Sequence, residues 1–226
     1  MLRRLLRWLW DSHGAPKLDR YVPKLTPARP RNVTATRQQI DDLIALASPS
    51  IRAFLVLCSD LAIRSGTATK IGPEHYNPEN QSLSFVTKKD ARVTLATTAA
   101  VREVIAACDL SNPLPFVTQL RIRETAARGR TMKNTYVDPV TISRELAQLR
   151  AAAGITKRIV PHDLRRSAAV ATLRYTGNLR TVQSLLGHRS LQSTIWYLDH
   201  DLYPVDTQTL EAIKKPHLVW KKEQTA

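Results

Sequence analysis

The chain has 226 residues, of which 43% are hydrophobic and 23% charged, so it can fold around a sizeable core and is not a disordered protein. Lysine and arginine number 34 against 19 acidic residues, which gives a net charge of +15 and a pI near 10.3. A folded domain this basic is typical of proteins that bind a polyanion, most often nucleic acid, with an anionic membrane surface as the alternative. The apolar runs are too short to span a membrane, so we expect a cytoplasmic protein that does not insert into one.

Residues 1–31 form a basic segment ahead of the main body of the chain. They contain eight lysines and arginines against two aspartates. Leucines at positions 2, 5, 6 and 9 share one helical face and predict a short amphipathic helix through about residue 12. Four prolines in 14–31 predict an extended linker. The helix cannot bury its apolar face alone, so it either packs on the main domain or is the remnant of a second domain.

The compact domain is predicted to begin near residue 32. Thr36 and Gln39 form a capping box ahead of an amphipathic helix. A second helix, at about 49–63, is apolar on most faces and is therefore expected at the centre of the fold. Residues 82–87 and 92–95 have the composition of short strands and are separated by 88–91, which predicts a small antiparallel sheet.

Most of the sequence after the sheet predicts helices. The stretch 117–137 is basic and without a clean period, which predicts a long loop with a partial helix that either faces DNA or lies in solvent. The fold class is therefore mainly α with one small antiparallel β-sheet. The helices predicted in this part of the chain lie at about 97–108, 139–153, 163–176, 179–186, 191–200 and 206–214.

The densest chemical signal begins at the helix predicted from about residue 163. His162 and Arg165 lie three residues apart and share a helical face, whereas Arg166 is turned about 100° away. An arginine and a histidine at a helix N-terminus make a good phosphate clamp, because the guanidinium matches two phosphate oxygens and the helix dipole favours an anion. The alternative is a solvated basic face.

A second signal follows the next helix. Gly187 stands where a helix is expected to stop, His188 lies in the turn, and Tyr197 follows nine residues later. A tyrosine on a helix is usually part of a core. Surrounded by arginine and histidine, however, its hydroxyl is a reasonable nucleophile for a phosphodiester, since the cations stabilise charge on the non-bridging oxygens.

These residues together resemble the C-terminal motif of the tyrosine recombinases, the family of phage integrases and Xer-type recombinases. The motif is His-x-x-Arg, then Leu-Gly-His, then a tyrosine nine residues beyond that histidine. The resemblance extends to an arginine after an apolar helix, matched by Arg64, and to a lysine between two strands, matched by Lys88. It runs from about residue 32 to 200 and supplies all of the family's expected positions, which are Arg64, Lys88, His162, Arg165, His188 and Tyr197.

The chain departs from the family pattern at some positions. Ala62 stands where the family usually has glycine, and Thr67 where it usually has an acid. Residues 1–31 are too short for the family's helical core-binding domain and resemble its last helix and linker. The implied organisation is that basic helix and linker, a catalytic domain with the tyrosine-recombinase fold at 32–202, and a C-terminal helix and basic tail at 203–226.

The resemblance implies a site-specific DNA recombinase of the integrase type, which cleaves and rejoins double-stranded DNA through a 3′-phosphotyrosyl intermediate. Tyr197 is the implied nucleophile, Lys88 the acid for the leaving 5′ oxygen, and His162 the acceptor of the tyrosine proton. The implied roles of Arg64, Arg165 and His188 are contacts to the phosphate. No cofactor or metal is expected. The implied partners are DNA and three further copies of the chain in a tetramer, with the helix at about 205–213 packed on a neighbour.

Two other functions remain open at the level of sequence. The first is a non-catalytic DNA-binding regulator of the same fold. The second is a DNA-relaxing enzyme of the topoisomerase IB type, which uses similar chemistry without paired sites. The remaining histidines share no spacing, and we interpret them as surface or satisfied polar groups. They are His13, His75, His200 and His217.

Overall fold

The computed structural model describes residues 2–21, 33–87, 92–132 and 136–198. None of the helices in these ranges is long and apolar enough to cross a membrane. The strands are β1 Tyr76–Asn77, β2 Ser82–Val86 and β3 Arg92–Ala96. The helices are α1 Leu2–His13, α2 Arg37–Leu46, α3 Pro49–Asp60, α4 Ser65–Ala68, α5 Ala99–Ala106, α6 Phe116–Ala127, α7 Pro139–Ala152, α8 Pro161–Thr176, α9 Leu179–Leu186 and α10 Leu191–Leu198.

The chain divides into two compact units, Met1–Arg31 and Asn32–Ala226. The first contains α1, which confirms the amphipathic helix predicted there. Within this unit the rings of Trp8 and His13 meet edge to face at 4.6 Å, and the Lys17 ammonium lies 5.0 Å from the Trp10 ring. The described part of this unit is therefore held by aromatic and cation–π contacts.

Helix α3 is the central element of the second unit, as its apolar sequence predicted. Nine of its residues are buried, and it contacts α2, α5, α6, α7 and α8. The predicted capping box at the start of α2 is confirmed. Helix α3 ends at Asp60 instead of continuing to residue 63, because Ala62 has a φ of 51°, in the left-handed region that interrupts a right-handed helix.

The predicted antiparallel sheet is confirmed, with a third short strand that the sequence did not indicate. The strand order is β1-β2-β3, with Leu83 opposite Leu95 and Phe85 opposite Val93. Leu83, Phe85 and Val93 are buried on one face of the sheet. The residues that connect β2 to β3 include Lys88, and 88–91 lie outside the described ranges.

The stretch 117–137 was predicted as a long loop with a partial helix, and helix α6 occupies its first half as a full three-turn helix. The helix was hidden because Thr118 and Gln119 occupy buried positions, which removes the apolar period that marks a helix. Arg121 is neither solvated nor free to face DNA, since it pairs with Glu145 at 2.7 Å and with Glu124 at 3.7 Å. The predicted helix at 206–214 lies outside the described residues.

A second, smaller core joins α8, α9 and α10. It consists of Ala62 and buried side chains of these three helices, with Tyr197 packed against it. Because Ala62 lies in the segment after α3, this core brings the end of α3 to the N-terminal half of α8. Three segments therefore meet in one place: the segment with His162 and Arg165, the segment with His188 and Tyr197, and the segment that leads to Arg64.

Candidate active site

Arg64 is positioned by the turn that follows α3. It caps α4, and its carbonyl oxygen accepts hydrogen bonds from the amides of Thr67 and Ala68, each at 2.8 Å. The turn depends on Ala62, whose positive φ costs an alanine about 1–2 kcal/mol that glycine would not incur. Thr67 supplies no carboxylate, and within the described residues the Arg64 side chain donates to no protein acceptor.

Arg165 joins the separate motif segments. It is 3% exposed, and its two terminal nitrogens donate to the carbonyl oxygen of Ala62 and, at 2.7 Å, to that of Leu186. One carbonyl precedes Arg64 by two residues, and the other precedes His188 by two residues. Burial and the nearby charge of Arg64 lower the pKa of Arg165 to about 10. A guanidinium in this position is not part of a solvated basic face.

The start of α8 holds His162 as the sequence predicted. Pro161 begins the helix, and the Asp163 carboxylate accepts the amide of Val160 at 2.9 Å. Burial is the main cause that lowers the pKa of His162, and the charges of Arg165 and Arg64 lower it further. The imidazole is therefore neutral at pH 7 and has a nitrogen that can accept a proton.

The turn with His188 is fixed against the sheet. Helix α9 ends at Gly187, whose φ is 59°. The Nδ1 atom of His188 lies 3.1 Å from the hydroxyl of the fully buried Thr194, and Gln183 donates to the His188 carbonyl at 2.9 Å. A Cβ atom at Gly187 would lie 2.5 Å from the Val93 Cγ2 and 3.0 Å from the Thr87 Cγ2. Glycine is thus required here by both conformation and close packing.

Replacing Gly187 with alanine is expected to lower the free energy of unfolding by about 2–5 kcal/mol, the sum of the left-handed backbone and the overpacking against Val93. Urea denaturation of the whole chain measures this loss. Gly177→Ala is the matched control, because Gly177 also ends a helix at a φ of 62° but has no heavy atom near the position of a Cβ. It should lose only about 1–2 kcal/mol. Equal losses in the two variants would contradict the packing argument.

Tyr197 lies at the centre of the cluster. Its ring meets those of His162 and His188 edge to face, at 5.1 and 5.7 Å between centroids. Its hydroxyl donates to the His162 carbonyl at 3.4 Å. Burial raises the pKa of Tyr197 to about 12, against the charges of Arg165, Arg166 and Arg64, which lower it. The hydroxyl is therefore protonated at neutral pH, and it needs a proton acceptor to act as a nucleophile.

The sequence did not indicate Arg166 as part of the site, because helical geometry points it away from the face of α8 that His162 and Arg165 share. It is 2% exposed, and its guanidinium carbon lies 5.8 Å from the centre of the Tyr197 ring, compared with 6.0 Å for Arg165. The ring comes from α10 and packs across the start of α8, so it meets two consecutive arginines. The only sequence signal was the doubled arginine itself.

The structure brings five of the six predicted residues together: Arg64, His162, Arg165, His188 and Tyr197. Lys88 lies outside the described residues. Arg64 and His162 also line a cleft with a volume of about 580 Å³, to which the end of β2 and His75 contribute. His75 was interpreted as a surface or satisfied polar group, and its Nδ1 does accept the Gly72 amide at 3.1 Å; the structure adds that it lines this cleft.

A sequence model described as the phage integrase family matches residues 34–202. Tyrosine recombinase XerC of Agrobacterium fabrum is 29% identical over 190 residues, which cover 83% of this chain and 58% of that protein. XerC of Rhizobium meliloti is 30% identical over 213 residues, which cover 88% and 64%. The chain thus spans about three-fifths of the length of these relatives.

The fold is shared with solved recombinase structures. XerA recombinase superposes with a TM-score of 0.59 at 19% identity, over 96% of this chain and 81% of that one. A lambda integrase dimer bound to a COC′ core site superposes with a TM-score of 0.61 at 16% identity, over 88% and 70%. At these identities the likeness establishes the fold.

Proposed function

The chain belongs to the phage integrase family, and from that premise we propose that it is a site-specific recombinase that cuts and rejoins double-stranded DNA. The observation that carries the proposal is the position of Tyr197, half-buried among two histidines and three arginines at the junction of α8, α9 and α10. The cations would hold a phosphodiester, and the hydroxyl would attack it.

In the proposed cleavage step, the Tyr197 oxygen attacks the phosphorus and forms a 3′-phosphotyrosyl bond while the bond to the 5′ oxygen breaks. The tyrosine proton passes to His162, which is neutral at pH 7 because burial lowers its pKa. The charges of Arg165 and Arg64 assist, because they favour the phenolate as it forms. A 5′-hydroxyl from a partner strand then reverses the step, so the number of phosphodiester bonds is conserved.

The proposed phosphate contacts come from Arg64, Arg165 and His188. Arg165 donates two of its N–H groups to protein carbonyls and also pairs with the Tyr197 hydroxyl, so its remaining N–H groups lie next to the nucleophile, where they can contact the non-bridging oxygens. Arg64 has no protein acceptor among the described residues, so its whole guanidinium is available to the phosphate. Preorganised donors of this kind stabilise the charge of the transition state.

Lys88 is proposed as the acid that protonates the leaving 5′ oxygen. Replacing Lys88 with alanine should slow cleavage by about 10²–10⁴-fold, the usual contribution of general acid catalysis. A substrate with sulfur at the 5′ bridging position leaves without that proton and should restore most of the rate. Lys89→Ala is the matched control, and sulfur rescue of this variant in place of Lys88→Ala would assign the role to the neighbouring lysine.

The proposed partners are duplex DNA and further copies of the chain in a DNA-bound tetramer, in the cytoplasm. The net charge of +15 supports DNA as the partner, because basic side chains that neutralise phosphates release counterions. Residues 32–202 are assigned as the catalytic domain, and 1–31 as a basic helix and linker that resemble the end of a core-binding domain. The segment at 203–226 is proposed as a C-terminal helix and basic tail, with the helix at about 205–213 in contact with a neighbouring copy.

Covalent capture tests the proposed function. Duplexes of random sequence with a nick in one strand lose a short 5′-hydroxyl fragment after cleavage, so the protein–DNA adduct accumulates and its DNA can be sequenced. An adduct, followed by strand exchange between two intact copies of the recovered site, is the expected result. Supercoil relaxation without exchange would indicate the topoisomerase-like function. Binding without any adduct would indicate a regulator.

A further inference from the structure

The cleft beside Arg64 extends beyond the groups that a single phosphate needs. Besides Arg64 and His162 it is lined by Lys70, His75 and Thr87, which the family motif does not include. Lys70 follows α4 and is exposed, and its side chain makes no hydrogen bond or ion pair within the described residues. The cleft therefore carries a second set of polar groups next to the set assigned to the scissile phosphate.

His75 is oriented by its own backbone. Its Nδ1 accepts the amide of Gly72 at 3.1 Å, which leaves the proton of the neutral ring on Nε2. The Glu74 carboxylate also lies 3.1 Å from Nδ1 and would pair with that atom in a protonated ring. In the tautomer that accepts the Gly72 amide, and in the doubly protonated ring, Nε2 carries a hydrogen that it can donate to a ligand oxygen.

Thr87 adds an independent indication of a ligand. It is 6% exposed, and its hydroxyl has no hydrogen-bond partner among the described residues. Its methyl group faces the Gly187 turn, so the residue connects the cleft to the segment that holds His188. A buried hydroxyl without a partner is costly, and a ligand oxygen would satisfy it.

We propose that Lys70 and His75 form a second phosphate-binding site, which holds a phosphate adjacent to the scissile one on the cleaved strand. This inference rests on the proposed function. Successive phosphates of one strand are about 3.4 Å apart along the DNA axis. If the scissile phosphate lies at Arg64 and His162, the next phosphate of that strand therefore lies in the same cleft. The ammonium and the Nε2–H are suitable donors for its non-bridging oxygens.

A salt titration of duplex binding tests the site independently of cleavage. With Tyr197→Phe as the background, Lys70→Gln should reduce the slope of log K against log salt by about 0.9, the contribution of one neutralised phosphate. Arg144→Gln removes one exposed charge of α7, which does not line the cleft, and should leave the slope unchanged. An unchanged slope for Lys70→Gln would overturn the inference whether or not the chain cleaves DNA.

Combining a modified DNA with a variant protein identifies which phosphate the second site binds. A methylphosphonate at one of the two positions adjacent to the scissile phosphate should slow adduct formation by the whole chain about tenfold. The same substitution should have no effect on Lys70→Gln combined with His75→Asn, which keeps an uncharged acceptor for the Gly72 amide. Equal methylphosphonate effects in both proteins would reject the second phosphate site while the adduct still supports the proposed function. Failure of every protein to form an adduct would reject the proposed function instead.

Discussion

Tyr197→Phe is expected to abolish the covalent adduct and to leave folding and DNA binding unchanged. The substitution deletes only the hydroxyl, whose described hydrogen bond to the His162 carbonyl is long at 3.4 Å. The ring, which carries the contacts to His162 and His188, is retained. A nicked duplex labelled at the 5′ end of the cleaved strand should give a slow band on a denaturing gel with the unmodified chain, and none with the variant.

The position of the label tests the polarity of the bond. A 3′-phosphotyrosyl link retains the 5′ label on the protein, whereas a label at the 3′ end leaves with the short fragment. Tyr175→Phe is the control, because Tyr175 is 92% exposed on α8 and lies outside the cluster. It should form the adduct normally. An adduct that persists in Tyr197→Phe would move the nucleophile to another tyrosine, with Tyr203 the next to test.

The sequence predicted most of the fold because most of its helices bury one apolar face. Helix α2 follows that rule, and so do β2 and β3 with their inward positions, whereas α3 was predictable as a central helix because it is apolar on most faces. Helix α6 does not, since it buries Thr118 and Gln119. The length of α3 was overestimated for a different reason, because the left-handed conformation of Ala62 is imposed by the surrounding core and not by its own preference.

The candidate site was predictable where it depends on spacing and hidden where it depends on tertiary contacts. The separation of His188 and Tyr197 is readable in the sequence, and so is the shared face of His162 and Arg165. The role of Gly187 as a close contact of Val93 is not, because the strand and the turn are distant in sequence. Arg166 was hidden for the same reason, since only the crossing of α10 over α8 places a ring against it.

Arg165→Lys is expected to reduce adduct formation by about 10⁴-fold or more. The loss of a phosphate donor accounts for about 10²–10³-fold, and misplacement of neighbouring groups adds about 10²-fold. Misplacement is expected because one ammonium cannot reach both the Ala62 and the Leu186 carbonyls, which anchor the segments of Arg64 and His188. A buried carbonyl left without a donor should also lower the free energy of unfolding by about 1–3 kcal/mol. Single-turnover cleavage and urea denaturation measure the two effects.

Arg64→Lys is the control that distinguishes the two roles of Arg165, which are to bind phosphate and to anchor the motif segments. The Arg64 side chain has no protein acceptor within the described residues. Its replacement should therefore cost about 10²–10³-fold in cleavage and leave the free energy of unfolding unchanged. A partial phosphate contact by the lysine would make this loss smaller still. Because Arg165 is the one side chain in the described ranges that donates to both the Ala62 and the Leu186 carbonyls, only its variant should lose both rate and stability. Equal behaviour of the two variants in both measurements would show that Arg165 binds phosphate without holding the motif segments together.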